Sequence, residues 1–156
     1  MCTAVKYKNY FGRTLDYEFS YGEEICITPR QYNLHFKHLK NNSHHFAFMG
    51  MAHIEDNYPL YYDAFNEKGL AIAGLNFVNN ACYFKEKKNK INVTQFELIP
   101  YLLSNYSTIK EIKNVLKKIN ITNIPFNDKL PCSPLHWLVS DKNECIVIEQ
   151  TKSGLH

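Results

Sequence analysis

A cysteine, an arginine and an aspartate stand near the start of the chain, at Cys2, Arg13 and Asp16. Cys2 directly follows Met1, and methionine aminopeptidases remove a first methionine when the second side chain is small, so we expect Cys2 to carry both a thiol and a free α-amine. These groups have pKa values of about 8.5 and about 7.7–8.0, close enough for the amine to take the thiol proton near neutral pH. The thiolate can then attack a carbonyl carbon and form an acyl-enzyme that water hydrolyses.

A short turn places the other two residues beside the cysteine. Lys8 and Asn9 predict a β-hairpin whose second strand runs back along Cys2. A guanidinium there favours the thiolate, and a carboxylate orients the amine. Because residues 13 and 16 are three apart, both reach one sulfur only if the strand bends. On these residues alone, the alternative stays open that Cys2 is incidental and that Arg13 and Asp16 form a surface ion pair.

The strands that must hold these residues follow from the pattern of apolar side chains. Segments rich in β-branched and aromatic residues, several alternating apolar with polar, predict strands in the first half and at the end of the chain. The last two are joined by a polar turn around Lys142 and Asn143. The predicted strands are "CTAVKYK", "YFGRTLDYEF", "EEICITPR", "HHFAFMGMAHI", "LYYDAFNE", "GLAIAGLNF", "LHWLVSD" and "ECIVIEQT".

Two helices are predicted in the centre of the chain. Each begins at an S/T-x-x-E capping box, at residues 94–97 and 108–111. We expect the second helix over 108–119, with Ile119 as the last residue of its apolar face. Pro100 is expected to kink or restart the first helix. The order of strands, helix pair and hairpin predicts an α+β fold with mainly antiparallel sheet, in one domain over 1–156.

Composition narrows the classes of function. The 156 residues are 45% hydrophobic, which is enough for a core. A net charge of +3 and a basic run at 85–90 that lacks interleaved aromatics argue against nucleic-acid binding. Early charged residues argue against a signal peptide or a membrane span. Five cysteines, an odd number without paired spacing, fit a reducing compartment, so we expect a cytoplasmic protein.

The histidines do not predict a metal site. Those in the first half lack H-x-x-x-H spacing and have no suitably placed acidic partner, and they are interpreted as solvated or packed side chains. His136, beside Trp137, is interpreted in the same way, because the N-terminal amine already supplies a base. The first-half histidines are His35, His38, His44, His45 and His53.

Longer matches connect the chain to a known family. "MCT" followed by "GRTLDYEFSYGEEICITPR" resembles the choloylglycine hydrolase and penicillin V acylase family, as do "DNYPLYYDAFNEKGLAIAGLNF", "FELIPYLL", "LHWLVSD" and "IVIEQT". The resemblance implies an N-terminal-nucleophile hydrolase with a four-layer αββα sandwich. It further implies cleavage of an amide between an acyl group and a small amine, without a cofactor.

The resemblance also assigns roles to individual residues. It makes Cys2 the nucleophile, with its own amine as the base. Arg13 and Asp16 match the "GR-x-x-D" pair beside the thiol. Asn76, in "GLNF", matches a position whose backbone N–H contributes to the oxyanion hole. An asparagine at this position is usual among bile-salt-cleaving members, so Asn76 mildly favours conjugated bile salts as the substrate.

The resemblance implies an acyl pocket with apolar or aromatic walls, suited to a steroid or phenoxyacyl group. The loop after Met51, the stretch "PLYYDAF" and the segment 127–136 would form it. Glu55 departs from the bile-salt pattern, because those enzymes tend to present a bulky apolar residue there and a carboxylate in a steroid pocket is unfavourable. The predicted substrate-binding residues are Leu15, Met51, Glu55, Tyr61 and Tyr62.

Length is the other departure, since family members are roughly twice as long as this chain. We therefore expect an N-terminal half of the family's domain, whose partners are a small-molecule amide and a homo-oligomer or a complementary C-terminal chain. Two hypotheses follow. The chain is a cysteine amidohydrolase acting on conjugated bile salts or penicillin V, or it is an inactive remnant that serves as an assembly or binding module through its unfinished sheet edge.

Overall fold

The computed structural model describes residues 2–156, and the predicted removal of Met1 lies outside the described residues. The elements are β1 (Thr3–Tyr7), β2 (Tyr10–Thr14), β3 (Glu24–Thr28), β4 (Phe48–Glu55), β5 (Tyr58–Tyr61), β6 (Asp63–Asn66), β7 (Ala71–Asn76), β8 (Ile91–Thr94), a 3₁₀ turn (Gln95–Glu97), α1 (Leu98–Asn105), α2 (Ile109–Leu116), β9 (Ile119–Thr122), β10 (Leu135–Ser140), β11 (Cys145–Ile148), β12 (Gln150–Thr151) and β13 (Gly154–Leu155).

The main sheet has seven strands in the order β11-β10-β7-β6-β4-β3, with β5 also paired to β4. All of its pairings are antiparallel. Helix α1 packs against β6 and β7 on one face, while the β1–β2 hairpin lies against β7 and β10. The described layers are therefore helices, a large sheet and a hairpin. This arrangement confirms the predicted α+β fold with mainly antiparallel sheet.

The core lies between the large sheet and the helices. Alternate residues of the central strands point into it, including Ile72, Trp137 and Val139, all 0% exposed. Leu102 and Leu103 of α1 meet them from the helix side and are also fully buried. Burying each such side chain contributes about 1.5–3 kcal/mol, so this layer is the stable base that carries the hairpin. Neither described helix has the length and apolar character needed to cross a bilayer.

Both predicted helices begin where their capping boxes indicate. The Thr94 N–H donates to the Glu97 carboxylate, and a 3₁₀ turn then leads into α1. Pro100 lies in the first turn of α1, where its missing N–H is not needed, so the helix restarts just before the proline instead of kinking at it. At α2, Thr108 accepts from the Glu111 N–H and donates its own N–H to the Glu111 side chain.

The predicted end of the second helix was wrong. Helix α2 ends at Leu116, and Ile119 begins strand β9 instead of completing the helical face. β9 pairs in parallel with β8, and neither strand was predicted. The spacing of Ile119 suits a helix. The Lys118 carbonyl instead accepts from the Ile91 N–H, a hydrogen bond between the starts of β8 and β9.

A buried asparagine ties the large sheet to α1. Asn66, at the end of β6, is 2% exposed and donates from its amide to the carbonyls of Leu103 and Tyr106. Its side-chain oxygen accepts from the N–H groups of Lys68 and Leu70. All these groups would otherwise be buried without partners, so Asn66 fixes the β6–β7 turn against the end of the helix.

Candidate active site

Cys2 lies at the open end of the β1–β2 hairpin, one residue before β1. The hairpin turns at Lys8 and Asn9, as predicted, and Ala4 pairs with Arg13 across it. Because side chains alternate along a strand, Cys2 and Ala4 share the half-buried face with Arg13. That face points towards the large sheet, so the thiol and the guanidinium are on the same side of the hairpin.

Arg13 is fixed by two acceptors on the large sheet. Its Nη1 donates to Asp63 Oδ2 at 3.2 Å, and its Nη2 donates to the Gly74 carbonyl at 3.0 Å. The Arg13 side chain is only 9% exposed. A charge-assisted pair in this position holds the guanidinium at a defined point instead of letting it sample solvent. The hairpin is thus anchored to the sheet by the residue predicted to favour the thiolate.

Tyr17 lies within electrostatic range of both Cys2 and Arg13. Burial raises the pKa of Tyr17, a negative charge on Cys2 would raise it further, and the positive charge of Arg13 acts in the opposite direction. The Tyr17 ring also packs on Tyr62, with ring centroids 5.9 Å apart. Tyr17 therefore links the predicted nucleophile to the cavity that Tyr62 lines.

Asp16 reaches the hairpin end through a threonine. The Thr14 hydroxyl accepts from the Thr3 N–H at 3.1 Å and donates to Asp16 Oδ2 at 2.8 Å. Strand β2 ends at Thr14, so the chain leaves strand geometry before Asp16. Thr14 lies on the hairpin face opposite Arg13, so Asp16 is held next to the backbone that follows Cys2 and not on the face that carries the guanidinium.

A cavity of about 420 Å³ lies beyond Tyr17. Tyr61, Tyr62 and Asn76 line it, as does the segment Leu130 to Leu135. Tyr62 is held between strands, because its N–H donates to the Met51 carbonyl and its own carbonyl accepts from the Gly74 N–H. The volume and the apolar and aromatic walls are those of a small-molecule site.

Burial keeps three ionisable side chains of the cavity neutral near pH 7. Burial raises the pKa of Tyr61 to about 12, although its hydrogen bond with Thr28 acts in the other direction. Burial likewise raises the pKa of Tyr62 to about 12 and raises that of the Cys132 thiol. These side chains suit contact with an uncharged acyl group better than proton transfer, and Cys132 does not compete as a nucleophile.

The segment 130–135 is positioned by one tyrosine. The Tyr83 hydroxyl accepts from the Leu135 N–H at 2.9 Å and donates to the Ser133 carbonyl at 2.8 Å. Leu135 in turn pairs with Asn76 at the end of β7. Asn76 is exposed and lines the cavity wall.

Three predicted substrate-binding residues lie elsewhere. Leu15 and Met51 line a second cleft, between the hairpin and the sheet, and Glu55 is not among the described residues that line either cavity. Glu55 instead faces His53, with 3.6 Å between the carboxylate and the imidazole nitrogen. The predicted loop after Met51 was wrong, because β4 continues to Glu55 through its pairing with β5.

Sequence reasoning missed Thr14, Tyr17 and Asp63. Asp63 follows two predicted pocket tyrosines, and strand alternation turns it to the face opposite Tyr62, towards the hairpin. The sequence shows this alternation of side chains, but it does not show that the hairpin lies against this face of β6. Thr14 lies within the "GRTLD" match without a recognisable role of its own.

Comparison with known proteins agrees with this geometry. Residues 1–156 match the family described as linear amide C-N hydrolases, choloylglycine hydrolase family. The bile salt hydrolase/transferase of Lactiplantibacillus plantarum is 54% identical over 158 residues, which cover 99% of this chain and 49% of the relative. The chain spans about half the length of the curated relatives it matches.

Solved structures give the same result for the fold. A variant of conjugated bile acid hydrolase from Clostridium perfringens superposes with a TM-score of 0.89 at 37% identity, over 99% of this chain and 49% of that one. Penicillin V acylase from Agrobacterium tumefaciens, at 17% identity and a TM-score of 0.74, shares the fold over 99% of this chain and 48% of its own. By sequence match and by fold, this chain belongs to the choloylglycine hydrolase family of linear amide C–N hydrolases.

Proposed function

We propose that Cys2, once it is the first residue, is the nucleophile of a linear amide hydrolysis that proceeds through an acyl-enzyme. The observation that carries the proposal is the position of Cys2 on the same hairpin face as an anchored Arg13. Tyr17, which lies within electrostatic range of both, lines the aromatic cavity. The family match supports the reaction class. Because the chain spans about half of its relatives, the reaction is proposed for the protein to which this half of the fold contributes.

In the acylation step, the α-amine of Cys2 accepts the thiol proton and the thiolate attacks the amide carbonyl carbon. Arg13 lowers the energy of the thiolate and disfavours protonation of the neighbouring amine before attack. The backbone N–H of Asn76 is the proposed donor to the oxyanion, and one such donor is typically worth about 10²–10³ in rate. The C–N bond then breaks, and the ammonium proton leaves with the amine product.

In the deacylation step, the neutral α-amine takes a proton from water, and the resulting hydroxide adds to the thioester carbonyl. The C–S bond breaks and releases the carboxylic acid. The ammonium returns its proton to the sulfur, which restores the starting state. The carboxylate of Asp16, held by Thr14, is proposed to orient the amine in both steps.

The proposed substrates are conjugated bile salts or penicillin V. Tyr61 and Tyr62 would contact the acyl group, and burial keeps both phenols neutral near pH 7. Glu55 does not itself line this cavity, and its carboxylate lies 3.6 Å from His53, which does. Leu15 and Met51 remain proposed contacts only for a substrate long enough to enter the second cleft.

The test uses this chain alone and this chain fused to the segment of the Lactiplantibacillus plantarum relative that lies outside the match. Each is assayed for hydrolysis of glycocholate, taurocholate and penicillin V, with intact mass to establish whether Met1 is present. Cys2→Ala in the active form should reduce turnover by about 10⁴-fold or more, as expected for removal of a nucleophile. Cys145→Ala, at an exposed cysteine that lines neither cavity, is the matched control and should leave turnover within about twofold. Undiminished turnover by the Cys2→Ala protein would reject the mechanism.

An assembly or binding module is the second candidate. The exposed strand residues Ile25 and Ile27 favour it. Retained Met1 together with inactivity of both the chain and the fusion would leave binding as the function. The cytoplasm is the proposed location, supported by the free state of all five cysteines.

A further inference from the structure

A buried amide lines the aromatic cavity without a partner. Gln95 begins the 3₁₀ turn after β8 and lines the cavity of about 420 Å³. The residue is only 5% exposed, and its side-chain amide makes no hydrogen bond with another described residue. The described polar atoms that are sealed off without a partner belong to other side chains, so the Gln95 amide faces the open space of the cavity. Because buried polar groups normally have a partner, this amide is placed to bind a ligand.

The backbone that carries Gln95 is held from both sides. The Thr94 N–H donates to one oxygen of the Glu97 carboxylate at 3.2 Å, and the Lys37 N–H donates to the other at 2.6 Å. Thr94 and Glu97 are 0% and 1% exposed, so water does not compete for these bonds. The amide is therefore confined before a ligand arrives, and binding costs little further side-chain entropy.

Other polar groups of the cavity have partners or face solvent. The Tyr61 hydroxyl is already hydrogen-bonded at 2.8 Å. The Nδ1 of His53 is buried where a ligand does not reach it, and its Nε2 lies 3.6 Å from a carboxylate. The exposed polar residues of the cavity, which water hydrates in the free protein, are Tyr17, Tyr21, Asn76 and Ser133. A hydrated group loses water when it binds a ligand, whereas the Gln95 amide has little water to lose.

Gln95 lies on the side of the cavity away from the hairpin. The 3₁₀ turn leads into α1, which packs on the face of the large sheet that carries Ile72. The hairpin contacts the other face, where Arg13 donates to Asp63. The cavity is lined both by the segment after β2 and by the 3₁₀ turn, so it connects the two sides. An acyl group whose carbonyl carbon reaches Cys2 would therefore point its far end towards Gln95.

The surroundings of the amide limit what it can bind. Phe96 and Phe126 line the cavity beside Gln95 and pack edge to face, with ring centroids 5.2 Å apart. A charged group would lose its hydration against these rings without a charged partner. A hydroxyl is uncharged and both donates and accepts, as the amide does. Hydroxylated steroid acids carry such groups on their rings, far from the carbonyl, whereas a phenoxyacyl group carries none.

We propose that Gln95 is a specificity-determining residue whose amide forms a hydrogen bond with a hydroxyl at the far end of the acyl group. This inference rests on the proposed function, and it selects hydroxylated steroid acids over phenoxyacyl groups as the acyl part of the substrate. A ligand without the hydroxyl leaves the amide unpaired in a desolvated site. Sites built to bind a hydroxyl reject such analogues for this reason.

The test measures the binding of two free acids, cholate, which carries ring hydroxyls, and 5β-cholanate, which carries none. The protein is the Cys2→Ala form of the fusion described above, with Gln95 intact or with Gln95→Leu or Gln31→Leu. Gln31 is exposed and lines neither cavity, so it is the matched control. Titration calorimetry is done below the concentrations at which the acids form micelles.

The result is the ratio of the cholate affinity to the 5β-cholanate affinity. Gln95→Leu should lower this ratio at least about tenfold, and Gln31→Leu should change it less than about twofold. A general disturbance of the apolar walls affects both acids and cancels in the ratio. Thermal melting checks the folds, and Gln95→Met, which removes the amide but keeps a long unbranched side chain, replaces Gln95→Leu if that variant unfolds.

Two outcomes would overturn the inference. In the first, the removal of the Gln95 amide changes both affinities equally or changes neither. In the second, the folded fusion binds neither acid. The measurement needs no turnover, so it separates the two proposals. The expected ratio in a protein whose active-form fusion does not hydrolyse amides would keep the role of Gln95 and reject the proposed reaction, and hydrolysis with an unchanged ratio would do the reverse.

Discussion

Arg13 has little freedom, and its neighbour Asp63 is the reason. One terminal nitrogen is held by the carboxylate and the other by the Gly74 carbonyl, while the buried Nε has no partner among the described residues. The guanidinium can therefore be moved only by breaking its contacts with the sheet. At the scale of single residues, the position of the Arg13 guanidinium depends on a side chain that lies 50 positions after Arg13 in the chain.

We expect Asp63→Asn to reduce the free energy of unfolding by about 1–3 kcal/mol, the range for a hydrogen bond to a charged group. Because Arg13 is then less firmly held beside the thiol, alkylation of Cys2 by a substrate-like electrophile should slow several-fold. Urea denaturation and peptide mapping after timed alkylation measure the two effects. Cys145 is exposed and should react at its original rate. Unchanged alkylation of Cys2 would show that Asp63 does not position the guanidinium.

At the scale of elements, strand β4 pairs along one edge with two different strands, one after the other. It pairs with β6 at Phe48 and Met49, and with β5 from Ala52 onwards. Gly50 lies at the change, and a Cβ there would sit 1.9 Å from the Asp63 carbonyl oxygen and 2.5 Å from the Ala64 Cα. The close approach of β6 therefore requires a residue without a side chain.

Gly50→Ala is expected to cost about 3 kcal/mol or more, since the clash is with backbone that cannot rotate away. It should also displace Asp63 and slow Cys2 alkylation in the same way as Asp63→Asn. Gly12→Ala is the matched control, because a Cβ at that position meets no atom within 4 Å. Its effect should stay within about 0.5 kcal/mol. Equal thermal stabilities for the two variants would contradict this account of β4.

The start of α2 depends on an aspartate outside the helix. Burial acts to raise the pKa of Asp141, but hydrogen bonds from the N–H groups of Ile109, Glu144 and Asn143 hold that pKa below its usual value. A carboxyl group of this kind stabilises the fold above the pKa of the unfolded chain, about 3.9. The contribution is lost as the pH falls through the lower pKa of the folded state.

Asp141→Asn should therefore destabilise the protein by about 1–2 kcal/mol at pH 7, since the N–H groups lose a charged acceptor. The difference from the unsubstituted protein should shrink as the pH falls below 4, where the native carboxyl also becomes neutral. Urea unfolding at a series of pH values from 7 to 3 measures this. A destabilisation that is constant over the series would exclude the carboxylate charge as its cause.

At the scale of the whole molecule, the hairpin is more exposed to solvent than the large sheet. Ile72 and Trp137 of the central strands are fully buried, whereas Val5, Tyr7 and Tyr10 of the hairpin are 57%, 65% and 77% exposed. We expect hairpin amides to exchange with deuterium at least about tenfold faster than those of β7 and β10. Hydrogen exchange with mass spectrometry on the isolated chain measures this. Equal protection of both layers would show that the hairpin does not open independently.

The sequence predicts local features of this molecule better than distant ones. The hairpin turn and the helix starts depend on residues within four positions of each other, and all were predicted correctly. The parallel pairing of β8 with β9 and the break of "LYYDAFNE" into β5 and β6 depend on partners far along the chain. Asp63 was missed for the same reason, because only the contact between hairpin and sheet shows what it binds.

The β8–β9 pair also bears on how the chain folds. Its partners, such as Asn92 and Asn120, are 28 residues apart, and both helices lie between them. Bringing the ends of a flexible segment of that length together costs about 3 kcal/mol of chain entropy. Helices α1 and α2 shorten the span once they form, so we expect the ladder to form after the helices. Variants that weaken either capping box should accordingly slow folding, while variants that weaken the β8–β9 pairing should mainly speed unfolding.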